Sequence, residues 1–217
     1  MTNRFAAEIR LLSSLKHPHI VKLLGASTYE GQTAMVLEYA KLGELAAYVR
    51  RPPHQLLAPG HISRADVLCI AVQIAGALQF LESMKVIHRD VAARNVLAFS
   101  MTTFKLADVG LSRLLGSDQE YYRQESQQAT AIRWMAPEAM VKHRFSSQSD
   151  VWSFGILLYE ACTYGSVPYG HLSDMQVPMA VTRGVLPPEP PTRFPELYAI
   201  MGMCWRSEPA QRPTFAQ

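Results

Sequence analysis

The 217-residue chain predicts an α+β fold in two unequal lobes, with a few strands early and mostly helices after them. Three observations carry that expectation. Apolar residues at helical spacing open the chain, and two short apolar runs of strand length follow. A long amphipathic pattern then occupies Val67 to Leu81. From Asp150 to Tyr164 the apolar residues go all the way round, the mark of a helix buried in a core.

The elements follow in order. Phe5, Ile9, Leu12 and Leu15 define a first amphipathic helix that ends before His17-Pro18, because the residue before a proline is pushed out of helical backbone. The runs His19 to Leu24 and Thr33 to Tyr39 read as neighbouring strands separated by Gly25 to Gln32. A small helix from Gly43 to Arg50 leads into a proline-rich loop, Arg51 to Gly60, with the basic pair Arg50-Arg51 as a solvated helix end. Ser63 and Asp66 have capping-box spacing, and Val67, Ile70, Ile74, Leu78 and Leu81 line one face of the helix behind them. Short β segments are expected at Val86-Ile87, Val96 to Phe99 and Phe104 to Ala107. A helix is expected from near Asp174, with Pro178 removing one of its hydrogen bonds. His17 and His19 lack partners at metal spacing and read as a strand-entry turn. Pro187 to Pro191 reads as a rigid loop between late helices.

Composition narrows the function classes. Apolar residues make up 48% and charged residues 18% of the chain, an ordinary globular balance. The net charge of +3 is small and scattered, so no nucleic-acid partner is expected. The longest apolar helical stretch, Cys69 to Leu81, carries Gln73 and is too short to span a bilayer, so no membrane segment is expected in this chain. Met1 to Arg10 has no signal-peptide pattern. Cys69, Cys162 and Cys204 are widely separated and apolar in setting, and read as reduced core residues of a cytoplasmic domain.

The chemistry concentrates in H-R-D-V-A-A-R-N, His88 to Asn95. A carboxylate at Asp90 can accept a hydrogen bond from a substrate hydroxyl, and the amide oxygen of Asn95 can hold a hard cation. Thirteen residues on, D-V-G at Asp108 to Gly110 ends a strand and offers a second oxygen ligand for Mg²⁺. W-M-A-P-E at Trp134 to Glu138 and D-V-W-S-F-G at Asp150 to Gly155 complete the set.

With these motifs the whole chain resembles a protein kinase domain of the tyrosine kinase group. The stretches H-P-H-I-V-K-L-L-G and L-G-E-L are similar to the focal adhesion kinase branch. The resemblance implies a two-lobed protein-kinase-like fold with an incomplete small lobe. Residues 1–40 correspond to the remnant of the small lobe and hinge, residues 41–217 to the large lobe with the catalytic and activation loops. It implies ATP and Mg²⁺ as cofactors, Asp90 as the proton acceptor, and Asn95 and Asp108 as metal ligands. It places Leu37 at the gatekeeper, Glu38, Tyr39 and Ala40 at the hinge against adenine, and Leu97 beneath the ring. Glu8 of F-A-A-E-I would pair with an ATP-gripping lysine. Glu138 is expected to pair with Arg212, and Asp150 belongs to the structural set. Tyrosine specificity is implied by Arg94 of A-A-R, by Ala92 where Ser/Thr kinases carry a lysine, and by Arg133-Trp134 and Cys204-Trp205.

Between Asp108 and Glu138, the adjacent Tyr121 and Tyr122 lie in the family's activation loop and suit phosphorylation by a second copy of the enzyme. Each phosphate adds about 1.5 to 2 negative charges, which Arg89 and Arg113 could bind. The other partners implied are proteins that present a tyrosine. The location implied is cytoplasmic, including the intracellular part of a receptor.

Residues 1–217 depart from the family pattern in several places. No Gly-rich phosphate loop and no V-A-x-K strand precede Glu8, so this stretch alone is expected to turn over negligibly. Val109 replaces the usual phenylalanine against Leu12, Leu23 and His88, where a smaller side chain predicts a void costing about 1–3 kcal/mol. Ala131 replaces a proline that supports the substrate ring. These departures keep a pseudokinase, a regulatory binding module, as the alternative. Arg94 disfavours a Ser/Thr kinase.

Overall fold

In the computed structural model, the residues described are 3–50, 62–109, 112–114, 119, 121–123, 131–190 and 194–217. The expected proline-rich loop at Arg51 to Gly60 and most of the segment around Tyr121 lie outside them. Helix α1 (Asn3–Ser14) packs Leu12 into the core, with Leu15 just past its end. Strands β1 (Leu23–Tyr29) and β2 (Gln32–Leu37) form an antiparallel hairpin. The two residues between them, Glu30 and Gly31, both have positive φ (49° and 73°), the backbone that a tight hairpin turn requires.

This hairpin corrects the expected strand boundaries. Residues 25–29 are strand and not loop. The earlier part of the apolar run, Ile20 and Val21, instead meets Leu106 through a bridge and a Val21 N–H donation of 2.8 Å. Small and polar residues at Gly25 to Thr28 hid the strand, because this edge of the hairpin faces solvent and needs no apolar alternation.

Helix α2 (Leu45–Val49) is followed by α3 (Arg64–Ser83). At the start of α3 the capping box is complete. Ser63 N–H donates to the Asp66 carboxylate at 2.8 Å, and Asp66 N–H donates to the Ser63 hydroxyl at 3.2 Å. At 20 residues α3 is longer than its sequence pattern suggested, and by length and composition alone it could cross a bilayer. Its buried face (Val67, Ile70, Ile74, Ala77, Leu78, Leu81) sits in the protein core. Arg50, read as a solvated helix end, instead donates to the Gly165 carbonyl from Nε at 3.1 Å and ties α2 to the turn after the central helix.

Strand β3 (Val86–Ile87) pairs with β6 (Arg113–Leu114), and β4 (Val96–Ser100) pairs with β5 (Thr103–Leu106). Further on, β7 (Tyr122–Arg123) pairs with β8 (Arg144–Phe145), just after α4 (Pro137–Lys142). Helix α5 (Ser147–Cys162) is the axis of the domain: every residue from Ser149 to Cys162 is buried. Gly155 lets it come close to α7 (Pro195–Cys204), since a Cβ there would lie 2.7 Å from the Trp205 indole nitrogen and 2.9 Å from Cys204 Cβ. Helix α6 (Val177–Thr182) begins later than expected, so Pro178 falls in its first turn, where no helical hydrogen bond is lost. Val109 is buried and shares a cluster with Leu12.

His17 and His19 are structural. His19 N–H donates to His17 Nδ1 at 3.2 Å, and the His19 ring lies 3.1 Å from the Phe104 carbonyl. Among the described residues no group of three or more His, Cys, Asp or Glu could hold a metal.

Candidate active site

The site is built on the loop between β3 and β4, and α5 holds that loop from below. Asp150, in the first turn of α5, accepts the backbone N–H groups of His88 at 2.8 Å and Arg89 at 2.9 Å. Arg89 has φ +73°, a left-handed conformation that is costly for a non-glycine residue and is held here by that carboxylate. Burial pushes the Asp150 carboxyl up to about 7, against the pull of both N–H donors and the Arg89 charge.

His88 is fully buried and orders the next layer. Its ring bonds the Ala107 carbonyl through Nε2 at 3.1 Å, while Nδ1 accepts Asp90 N–H at 3.3 Å. One neutral tautomer, protonated at Nε2, satisfies both bonds. Burial lowers the His88 pKa and so favours that neutral form. Ala107 N–H donates in turn to the Asn95 carbonyl at 2.8 Å. Asp108, exposed and with φ +57°, is therefore delivered beside the loop that carries Asp90 and Asn95.

The Asp90 carboxylate is gripped from two sides. Arg94 forms a salt bridge to Oδ1. The Asn95 amide nitrogen donates to Oδ2 at 2.8 Å and to the Asp90 carbonyl at 2.7 Å. With its nitrogen so used, Asn95 keeps its amide oxygen for a cation. The donor set of that oxygen and the Asp108 carboxylate fits Mg²⁺, which takes few protein oxygens and fills its remaining positions with water and phosphate.

Arg94 also lies over the Trp134 ring at 4.5 Å, joining the catalytic loop to the W-M-A-P-E segment. Glu160 of α5 makes the same connection. It accepts Ala93 N–H and the Trp134 indole N–H, both at 2.8 Å, and burial raises its pKa despite these donors. Sequence reasoning missed Glu160; the signal was a single acid inside an otherwise apolar helix, a residue that needs buried partners. Arg133, known from sequence only as a specificity mark, donates to the carbonyls of Pro168, Tyr169 and Leu172 at 2.7–3.0 Å and to Asp174 at 2.8 Å.

The residues expected at the hinge, 38–40, follow β2. Leu37 and Tyr39 are exposed, and Ala40 is buried. The Glu38 carboxylate is occupied by Lys22 N–H at 2.8 Å and by Lys105 Nζ at 2.7 Å, while Glu38 N–H donates to the Lys22 carbonyl at 3.1 Å and the Ala40 carbonyl accepts Gly43 N–H at 3.2 Å. Leu97, half-buried on β4, lies opposite Lys105. Glu8 is half-buried on α1. Glu138 receives two hydrogen bonds from Arg212, at 2.7 and 2.8 Å.

Arg89 is sandwiched between the rings of Tyr122 and Phe145, at 4.7 and 4.6 Å from their centroids. Arg113 lies opposite Ile87 in the ladder, and its side chain is outside the described ones. A groove of about 1010 Å³ lies elsewhere, among α3, α5, α7 and residues 210–217, and neither Asp90, Asn95 nor Asp108 lines it.

Residues 1–217 match the family described as "Protein tyrosine and serine/threonine kinase". The mouse high affinity nerve growth factor receptor is 39% identical over 216 residues, 96% of this chain and 27% of the receptor. The human tyrosine-protein kinase FRK is 36% identical over 214 residues, 98% of this chain and 41% of that protein. The tyrosine-protein kinase transforming protein Fps of an avian sarcoma virus is 38% identical over 214 residues, 98% of this chain and 38% of that protein. The chain thus spans less than half the length of these relatives. It belongs to the protein tyrosine and serine/threonine kinase family.

Proposed function

We propose that the chain is the catalytic part of a protein tyrosine kinase, moving the γ-phosphate of ATP to tyrosine hydroxyls of proteins. The observation that carries this reading is the Asp90 carboxylate held between Arg94 and Asn95. In the reaction the phenol oxygen bonds to the γ-phosphorus as the bond to the β-phosphate oxygen breaks, leaving ADP. The phenol proton passes to Asp90, whose orientation Arg94 and Asn95 hold. A pre-set carboxylate costs no reorganisation during transfer. Asn95 and Asp108 would hold Mg²⁺, which supplies charge neutralisation at the phosphates when bound. The backbone groups of residues 38–40 other than Glu38 N–H and the Ala40 carbonyl, with the Leu97 side chain, take the base.

Tyr121 and Tyr122 are the regulatory positions, phosphorylated by a second copy, and Arg89 receives the phosphate of Tyr122. The location is cytoplasmic, either free or as the inner part of a receptor. The test is phosphotyrosine formation on poly-Glu-Tyr by the longest gene product that carries these residues, compared with its Asp90→Asn variant. Transfer to serine instead would overturn the substrate class, and equal transfer by the variant would overturn the site.

A further inference from the structure

We propose that Arg144 is the receptor for a phosphate on Tyr121, separate from the Arg89 site that faces Tyr122. The inference rests on the reading of these two tyrosines as the phosphorylated pair, and it adds a residue and a division of labour to it.

The ladder between β7 and β8 sets the geometry. Tyr122 pairs with Phe145 and Arg123 with Arg144. Tyr121, which immediately precedes β7, and Tyr122 have different cationic partners, Arg144 and Arg89. Tyr122 and Phe145 face inward and enclose the Arg89 guanidinium. Tyr121 and Arg144 share the outer face as diagonal neighbours, and the Arg144 guanidinium lies 4.5 Å from the Tyr121 ring centroid.

Both outer residues are accessible: Tyr121 is 39% exposed, and Arg144 is exposed. Among the described residues no carboxylate forms a salt bridge with Arg144. An exposed guanidinium on a phenol face is a weak contact. A phosphate added at the phenol oxygen gives the same guanidinium a dianion with geometry suited to paired N–H donation. The bond formed is Tyr121 oxygen to the γ-phosphorus of ATP, with ADP and a proton released, as in the proposed reaction. The new pair would staple the residue preceding β7 to β8, and β8 leads into α5 and Asp150. A phosphate at Tyr121 thereby orders the segment against the large lobe without displacing Tyr122 from Arg89.

The test uses protein carrying phosphotyrosine incorporated during synthesis at position 121 or at position 122, so it needs no kinase activity. Absent activity in the Asp90 assay therefore leaves this result standing, and a failure here leaves that assay standing. Removal of each phosphate by a tyrosine phosphatase is timed in the native sequence, in Arg144→Gln and in Arg144→Lys. Arg144→Gln is expected to speed removal at position 121 about two- to fivefold, as for a partly exposed ion pair, with Arg144→Lys changing it less and position 122 unaffected. An unchanged rate at position 121 would overturn the proposal. Equal acceleration at both positions would overturn it too, because that pattern reports general loosening of the ladder.

Discussion

The loop that carries Asp90 is held by buried acids, and Glu160 is the clearest case at the residue scale. Its carboxylate joins Ala93 of the catalytic loop to the Trp134 indole, 41 residues further along the chain. Glu160→Ala would leave the buried Ala93 N–H unpaired, at a cost of about 1–3 kcal/mol, and would free the half-buried Trp134 indole N–H. The expected outcome is a lower urea midpoint together with a change in indole fluorescence as Trp134 loses its partner. An unchanged midpoint would mean that water or a neighbour replaces the carboxylate. The motif residues around Asp90 were legible in sequence because their contacts are local: Arg94 and Asn95 lie four and five residues from Asp90. Glu160 was not, because its two partners lie 67 and 26 residues away and no spacing rule joins them.

At the element scale, the joint between α4 and the C-terminal residues depends on Arg212. Its side chain is fully buried and donates to Glu138, to Gln148 O at 2.8 Å and to Arg206 O at 2.9 Å. Removing one partner of such a pair strands the other charge, at a cost of about 3–5 kcal/mol. Arg212→Ala is therefore expected to lower the denaturation midpoint far more than Arg64→Ala, whose pair with Glu196 is half-exposed on both sides. Equal effects of the two substitutions would contradict this. Elements with a strong period, such as α3 and α5, are helices where their sequence patterns put them, although α3 runs longer and α5 starts and ends earlier than those patterns, since burial of one face or of all faces imposes the period but not the ends. The hairpin of β1 and β2 was harder to place, because Glu30-Gly31 makes its turn within a polar stretch and its strand residues are largely solvent-facing. The start of α6 was misplaced for a related reason: Pro178 reads as an interruption until the cap at Gln176 puts it in the first turn.

At the scale of the whole molecule, α5 couples the core to the chemistry, and its buried acid makes stability depend on pH. The Asp150 carboxyl titrates at 3.8 in its ordinary state and at about 7 in the folded chain. Between those values the folded chain keeps a proton that the unfolded chain has released. The contribution of this group to stability is therefore full below about pH 4 and is lost as pH rises through about 7. His88 acts oppositely, since its lowered pKa favours the folded state as pH rises toward 6.5. The informative quantity is thus the difference between the native sequence and Asp150→Asn. Urea midpoints from pH 4 to 8 are expected to decline less in the variant, and parallel profiles would contradict the assignment.

The same helix holds the loop on which the proposed transfer depends, in which Asp90 takes the proton of a tyrosine hydroxyl. The most direct measurement is the rate of phosphotyrosine formation on poly-Glu-Tyr with ATP and Mg²⁺, using the longest gene product that carries residues 1–217 and its Asp90→Asn variant. Tyrosine is expected to be phosphorylated, with kcat falling about 10²- to 10⁴-fold in the variant while folding is preserved, the loss typical of removing a general base. Phosphate on serine and not tyrosine, or a variant as fast as the native sequence, would contradict the account.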